Sequence, residues 1–266
     1  MRKLRKKFSF FLQQCDFSCY IGMRSKKTNN NIHSRNSRKM KTRVFNLIIL
    51  DESGSMSCIE RQALTGVNET LQTIRRAQEK YPEQEQYVTF VPFLSGSFKF
   101  VRDCEPIANV KDLSPADYNP GTCTPLYDAI GLSVNHLKKN VAETDSVLVT
   151  IITDGYENDS HEFTSKDISR IVEEMKSKGW LFTYIGANQD AIEVAKTMNI
   201  KNALNFVQDD AGTRQMFAKE RRSRGRFMEA LSQINYCCAP SSKESQELRR
   251  KLADSDNFFA DDDDKA

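Results

Sequence analysis

The side chains best suited to chemistry sit in three short segments. Asp51-Glu52-Ser53-Gly54-Ser55-Met56 places a carboxylate and two hydroxyls on alternate residues. Asn119-Pro120-Gly121-Thr122-Cys123-Thr124-Pro125 carries two threonines, and Thr153-Asp154-Gly155 carries a second aspartate. The donors are small, hard oxygen groups, which suit Mg²⁺, Mn²⁺ or Ca²⁺ rather than zinc or copper. The alternation at 51, 53 and 55 lets three side chains aim at one point, with Gly54 expected to let the backbone turn tightly between the serines. Each piece alone is ordinary, because Asp and Ser favour strand ends and helix N-caps and Thr-Asp-Gly is a common turn. Their joint, ordered occurrence points to a divalent-cation site built from Asp51, Ser53, Ser55, Asp154 and either Thr122 or Thr124.

The surrounding elements place these segments. Residues 44–50 are nearly continuously apolar, as in a strand buried on both faces. Leu64, Val67, Leu71 and Ile74 then recur at helical spacing. Residues 87–93 and 97–101 flank Ser95-Gly96 and read as a hairpin. Leu126, Ile130, Val134 and Leu137 mark a second helix, and residues 147–152 are the most strand-like in the chain. Ile168, Ile171, Val172 and Met175 predict a third helix closed by Gly179. A strand over 181–185, a short helix over 191–198 and a last strand over 203–207 complete the series. This alternation implies an α/β fold: a Rossmann-like, three-layer arrangement with a mostly parallel central sheet, one antiparallel edge strand from the hairpin, and helices on both faces. Such sheets put their sites at the carboxyl ends of the strands, where all three segments fall.

With these residues in place, the chain resembles the von Willebrand factor A (vWA) domain with an intact metal-ion-dependent adhesion site. The Asp-x-Ser-x-Ser signature stands at Asp51, Ser53 and Ser55, and the loop-three aspartate is Asp154. The resemblance favours Thr124 as the loop-two threonine, because a small helix residue, Ala129, follows it by five positions. It covers about residues 43–210, and the phrase Thr124-Pro-Leu-Tyr-Asp-Ala-Ile130 is similar to that of bacterial intracellular members. The resemblance implies that Ser53, Ser55 and Thr124 are the main protein ligands, with Asp51 and Asp154 acting largely through water. It further implies a protein-binding module, not an enzyme, in which an Asp or Glu of a partner protein completes the shell of a bound Mg²⁺ (or Mn²⁺ or Ca²⁺). Met56, Ser57, Cys58, Asn119, Cys123, Tyr156, Glu157 and Asn158 are expected to rim that site.

The rival is a Mg²⁺-dependent phosphatase of haloacid-dehalogenase type, which also places an aspartate after a first strand. It needs a second acid two residues later, where this chain has Ser53, and more acids than Thr153-Asp154-Gly155 supplies. No glycine fingerprint for a dinucleotide follows a strand. His33 lies in the N-terminal stretch, His136 on a helix, and His161 in a polar loop expected to be solvated, so no Ser/His/Asp set forms.

Composition sets the outer limits. The 266 residues, 39% of them hydrophobic, suffice for one sizeable domain. They contain no run of ~18 apolar residues able to span a membrane. Thirteen of the 39 Lys and Arg fall in residues 1–43 beside a single acid, leaving 26 basic against 35 acidic residues in the remainder. Residues 1–42 therefore read as a basic, disordered extension, with Met40 as an alternative start; contact with nucleic acid or an anionic surface is expected only through this arm. The seven cysteines are odd in number and follow no framework, which suits free thiols in a cytoplasm. Beyond a vWA domain at 43–210, residues 211–235 read as a helical segment broken near Gly225, its basic stretch from Arg214 to Arg226 being a solvated face or a nucleic-acid contact. Residues 236–266 read as a polar, acidic tail ending in Asp261-Asp-Asp-Asp-Lys265, which matches an enteropeptidase recognition sequence.

Overall fold

A computed structural model describes residues 41–187 and 190–260. The expectations for the basic arm, apart from its last residues, and for the run from Asp261 lie outside the described residues. The chain alternates as the apolar spacing predicts: β1 (Thr42–Asp51), a 3₁₀ turn (Gly54–Ile59), α1 (Glu60–Lys80), β2 (Gln84–Leu94), β3 (Ser97–Phe98) and β4 (Arg102–Pro106) come first. They are followed by α2 (Leu126–Leu137), β5 (Ser146–Thr153), α3 (Ser165–Ser177), β6 (Trp180–Ala187), α4 (Ala191–Thr197) and β7 (Asn202–Phe206). Two further helices, α5 (Asp210–Cys237) and α6 (Lys243–Asp254), complete the described chain.

The seven strands form one sheet in the order β3-β2-β1-β5-β6-β7, with β4 also paired to β2. The pairs β1–β2, β1–β5, β5–β6 and β6–β7 are parallel, and only β3 and β4 run antiparallel. The expected antiparallel edge therefore exists, but in two pieces rather than as one strand over 97–101. β4 pairs with β2 as far as Phe90 and β3 resumes at Phe93. Pro92, which has no N–H to contribute to a ladder, lies in the gap. The β4 register also slips between Val88 and Phe90, where the Thr89 hydroxyl accepts the Cys104 N–H at 3.0 Å.

Each face of the sheet carries its own apolar layer. Leu126, Ile130, Val134, Ile168, Val172 and Met198 cover one face with α2, α3 and α4. α1, α5 and α6 cover the other. Thr164 opens α3 in a reciprocal capping box with Asp167, and Gly179, at φ +86°, follows its end as expected.

The region after β7 departs from the sequence reading. Helix α5 runs unbroken through Gly225, because Met216, Phe217, Phe227, Met228 and Leu231 pack into the core on both sides of it. Much of the basic stretch is packed rather than solvated, although Arg214 and Arg222 stay exposed. Arg224 is fully buried, Arg221 pairs with Glu69 at 2.5 Å, and Arg226 donates to the carbonyls of Phe258 and Ala260. The region read as a tail supplies α6, and Ala253, Phe258 and Phe259 are buried in the core that contains α1. Thr42 and Phe258 stand at different heights on the sheet, since Asn202 is in register with Thr183, Thr150 and Ile48, six residues along β1 from Thr42. The Thr42 hydroxyl accepts from Asn235, and Phe258 N donates to Asn202 at the start of β7. Among the described residues no helix is long and apolar enough to cross a membrane.

Candidate metal site

The carboxyl end of β1 delivers Asp51 fully buried, and two hydrogen bonds fix its carboxylate. Oδ1 accepts the Ser53 backbone N–H at 2.8 Å, and Oδ2 accepts the Thr153 hydroxyl at 2.5 Å from the end of the adjacent strand β5. The Tyr118 hydroxyl, also buried, donates to the Asp51 carbonyl at 2.7 Å. From the turn after β1, Ser53 Oγ and Ser55 Oγ stand 3.1 Å apart. Ser55 Oγ donates in turn to Asp154 Oδ1 at 2.7 Å. Thr124 is buried beside them, and a Cβ on Gly155 would lie 3.5 Å from Thr124 Oγ1 and 3.8 Å from Ser55 Oγ. Residues 51, 53, 55, 124 and 154 thus come together at one point above the sheet.

The two threonines of loop two face differently. Thr122 is exposed, in the left-handed region at φ 51°, and its hydroxyl donates to the Ser95 carbonyl at 3.3 Å. Thr124 alone turns into the cluster.

Hydrogen bonds lock the three loops to one another. Gly54 N donates to Thr122 O at 3.0 Å, and Gly121 N to Glu52 O at 2.8 Å. The Glu52 carboxylate accepts the Asn119 N–H. Asn158 Oδ1 accepts the Thr124 N–H at 2.8 Å, while Asp128 accepts the N–H groups of His161, Glu162 and Phe163. Gly54 does not serve as the sequence suggested. Its φ is not positive, and a Cβ there would meet Thr122 O at an ordinary 3.6 Å, so its part is the backbone tie to loop two. Of the expected rim, Met56 is fully buried under the turn because its side chain joins the core below. Ser57, Cys58, Asn119, Cys123, Tyr156 and Asn158 are exposed, whereas Glu157 is half-buried and accepts from Tyr127 N and Ser160.

Burial sets the electrostatics. It pushes the Asp51 carboxyl up to about 6, with nearby Asp154 adding to the rise and the bonds from Thr153 and Ser53 opposing it. Burial likewise raises Asp154, against the hydrogen bonds from Ser55 and Gln208. Neither carboxylate is ion-paired to Lys or Arg among the described residues, so two buried acids share a small volume with neutral donors only. A divalent cation is the group that such a set fits, since it offsets both charges and accepts hydroxyl oxygens as ligands. No three or more His, Cys, Asp or Glu gather as a metal cluster among the described residues. A cation held here would take much of its coordination from the hydroxyls.

Several contributors escaped the sequence reading. Thr153 and Tyr118 adjoin quoted residues, and Glu52 lies inside the motif, so proximity could have flagged them. Gln208 carries no local signal; it follows β7 and donates from Nε2 to Ser55 O at 2.8 Å and to Asp154 Oδ2. Tyr118→Phe should cost about 1 kcal/mol of stability, the usual size for one hydrogen bond. Urea denaturation would show it, and an unchanged midpoint would mean that the bond to Asp51 O adds nothing.

No family model matches the chain, and no curated protein does. Solved structures do share its fold. The pilus adhesin SpaC from Lactobacillus rhamnosus GG, in an open conformation, superposes with a TM-score of 0.52 at 12% identity over 70% of this chain and 30% of that one. The PilB minor pilin from Streptococcus sanguinis gives 0.49 at 11% identity, over 71% and 62%. A von Willebrand factor type A protein from Catenulispora acidiphila gives 0.47 at 15% identity, over 71% and 43%. The chain thus spans less than two thirds of each, and at these identities the likeness is one of fold.

Proposed function

We propose that this chain is a metal-dependent protein-binding module. In this reading Asp51, Ser53, Ser55, Thr124 and Asp154 hold one Mg²⁺, with Mn²⁺ or Ca²⁺ as substitutes, and the site captures an acidic residue of a partner protein. The observation that carries it is the convergence of Ser53 Oγ, Ser55 Oγ and Asp154 Oδ1, at 3.1 and 2.7 Å, from loops about a hundred residues apart in sequence. With hydroxyls as direct ligands and Asp51 and Asp154 acting largely through water, the cation would keep a position attractive to a partner's carboxylate. The residues of the chain do the rest. Thr153 and the Ser53 backbone hold Asp51 in place, Asn158 fixes the backbone of Thr124, and Ser55 remains exposed toward the incoming group. Ser53 stands where a phosphatase of the rival type needs a second acid, which supports a binder over a catalyst. The free thiols at Cys58, Cys104, Cys123, Cys237 and Cys238 suit the cytoplasm proposed for it.

Titration calorimetry with Mg²⁺ and Mn²⁺ tests the reading. One divalent site is expected, abolished in the Asp51→Ala/Asp154→Ala double variant. Retained binding in that variant would move the metal elsewhere, and metal-dependent hydrolysis of aryl phosphates, lost in Asp51→Asn, would replace the binder with the phosphatase.

A further inference from the structure

We propose that Gln208 is a positioning residue of the metal site, supplied by a fourth loop that the Asp-x-Ser-x-Ser, threonine and aspartate pattern does not include. The inference rests on the cation reading above and concerns how the donors are held. Gln208 lies between β7 and α5, half-buried, and its Nε2 donates both to the Ser55 carbonyl at 2.8 Å and to Asp154 Oδ2. An amide nitrogen has two hydrogens, and both partners are acceptors only, so just one orientation of this amide satisfies the pair.

The arrangement governs which atoms of the cluster face one another. With Oδ2 engaged by Gln208, Asp154 offers Oδ1 to the Ser55 hydroxyl proton at 2.7 Å. That proton is then directed away from Ser53 Oγ, 3.1 Å distant, and Ser55 turns lone pairs toward it. Lone pairs are what a cation requires. The second N–H fixes the backbone of the same serine, so Gln208 holds Ser55 twice, once through Asp154 and once directly. Groups that orient the ligands of a metal commonly contribute ten- to a hundredfold to its affinity.

A neighbouring contact separates this role from simple anchoring of the loop. Gln62 on α1 donates to Asp210, the first residue of α5, two positions beyond Gln208 and without touching the cluster. If the β7–α5 loop merely needs tethering, cutting that contact should act like cutting Gln208. The test is Mn²⁺ titration of the full chain by calorimetry, with the metal-induced rise in melting temperature as a second readout. Gln208→Met, which keeps the length and removes both donors, should weaken Mn²⁺ about 10–100-fold and shrink the thermal shift. Asp210→Ala should leave both within about twofold of the unaltered chain. Equal losses in the two variants, or unchanged affinity in Gln208→Met, would overturn the proposal while leaving the cation reading standing. Failure of the unaltered chain to bind Mn²⁺ or Mg²⁺ would overturn both.

Discussion

Arg224→Ala should destabilise the fold by about 3–5 kcal/mol, the penalty for leaving a partner charge buried and uncompensated. Arg224 is fully buried, and its guanidinium joins two layers. Nε donates to Glu220 Oε1 at 2.8 Å on the same helix, Nη1 to Asn46 on β1 at 2.6 Å, and Nη2 to Thr150 on β5 at 2.9 Å. Glu220, equally buried, also accepts from Thr70 on α1 at 3.3 Å. Removing the arginine strands the Glu220 carboxylate charge and the Asn46 amide oxygen away from water, while the Thr150 hydroxyl keeps Thr183 as a donor. Exchanging the pair together, as Arg224→Met/Glu220→Leu, should recover most of the loss, because apolar groups of similar volume often replace a buried ion pair without cost. Urea unfolding of the three proteins measures both effects. A single-variant loss below about 1 kcal/mol would mean that water reaches the pair.

Gly66→Val is expected to cost about 3 kcal/mol, at the upper end for overpacking a core. A Cβ on Gly66 would lie 2.1 Å from the Phe217 ring, and that ring is 2% exposed, with no space to swing into. The sign is informative, since replacing glycine inside a helix with a side chain ordinarily helps by up to about 1 kcal/mol. Here α1 and α5 approach so closely that the glycine is the space for the phenylalanine. Trimming the ring should relieve the clash, so Gly66→Ala ought to be better tolerated in a Phe217→Leu background than alone. A denaturant midpoint for Gly66→Val at or above that of the unaltered chain would show that the helices can part.

These two positions also mark where the sequence stops being readable. The strands and helices through residue 207 follow from apolar periodicity, because each buries a regular face against one sheet. The cluster at 51, 53, 55, 124 and 154 was legible for a related reason: parallel topology sends the carboxyl ends of its strands to one edge, and the residue types there are unusual in combination. The C-terminal region lacked such a pattern. Its arginines looked solvated because charge ordinarily is, yet Arg224 is buried by acceptors on strands far from it in sequence. Gly225 looked like a break because glycine weakens an isolated helix, whereas packing on both sides outweighs a propensity of about 1 kcal/mol. Phe258 and Phe259, set among polar residues, show no period at all. Met56 reads as rim because it follows the motif, but the 3₁₀ turn rotates it inward. Gln208 depends on the path of β7 and could be found only in three dimensions.

The place of Thr42 determines how the protein can be handled. It lies at the amino end of β1, while Asp51 lies at the carboxyl end of the same strand. Over the ten residues of β1 that is roughly 30 Å, at about 3.3 Å per residue. A fluorophore or a solid support joined at Lys41, the exposed residue before β1, is therefore held at the end of the sheet opposite the oxygen cluster. Immobilised in this way, the protein presents that cluster outward.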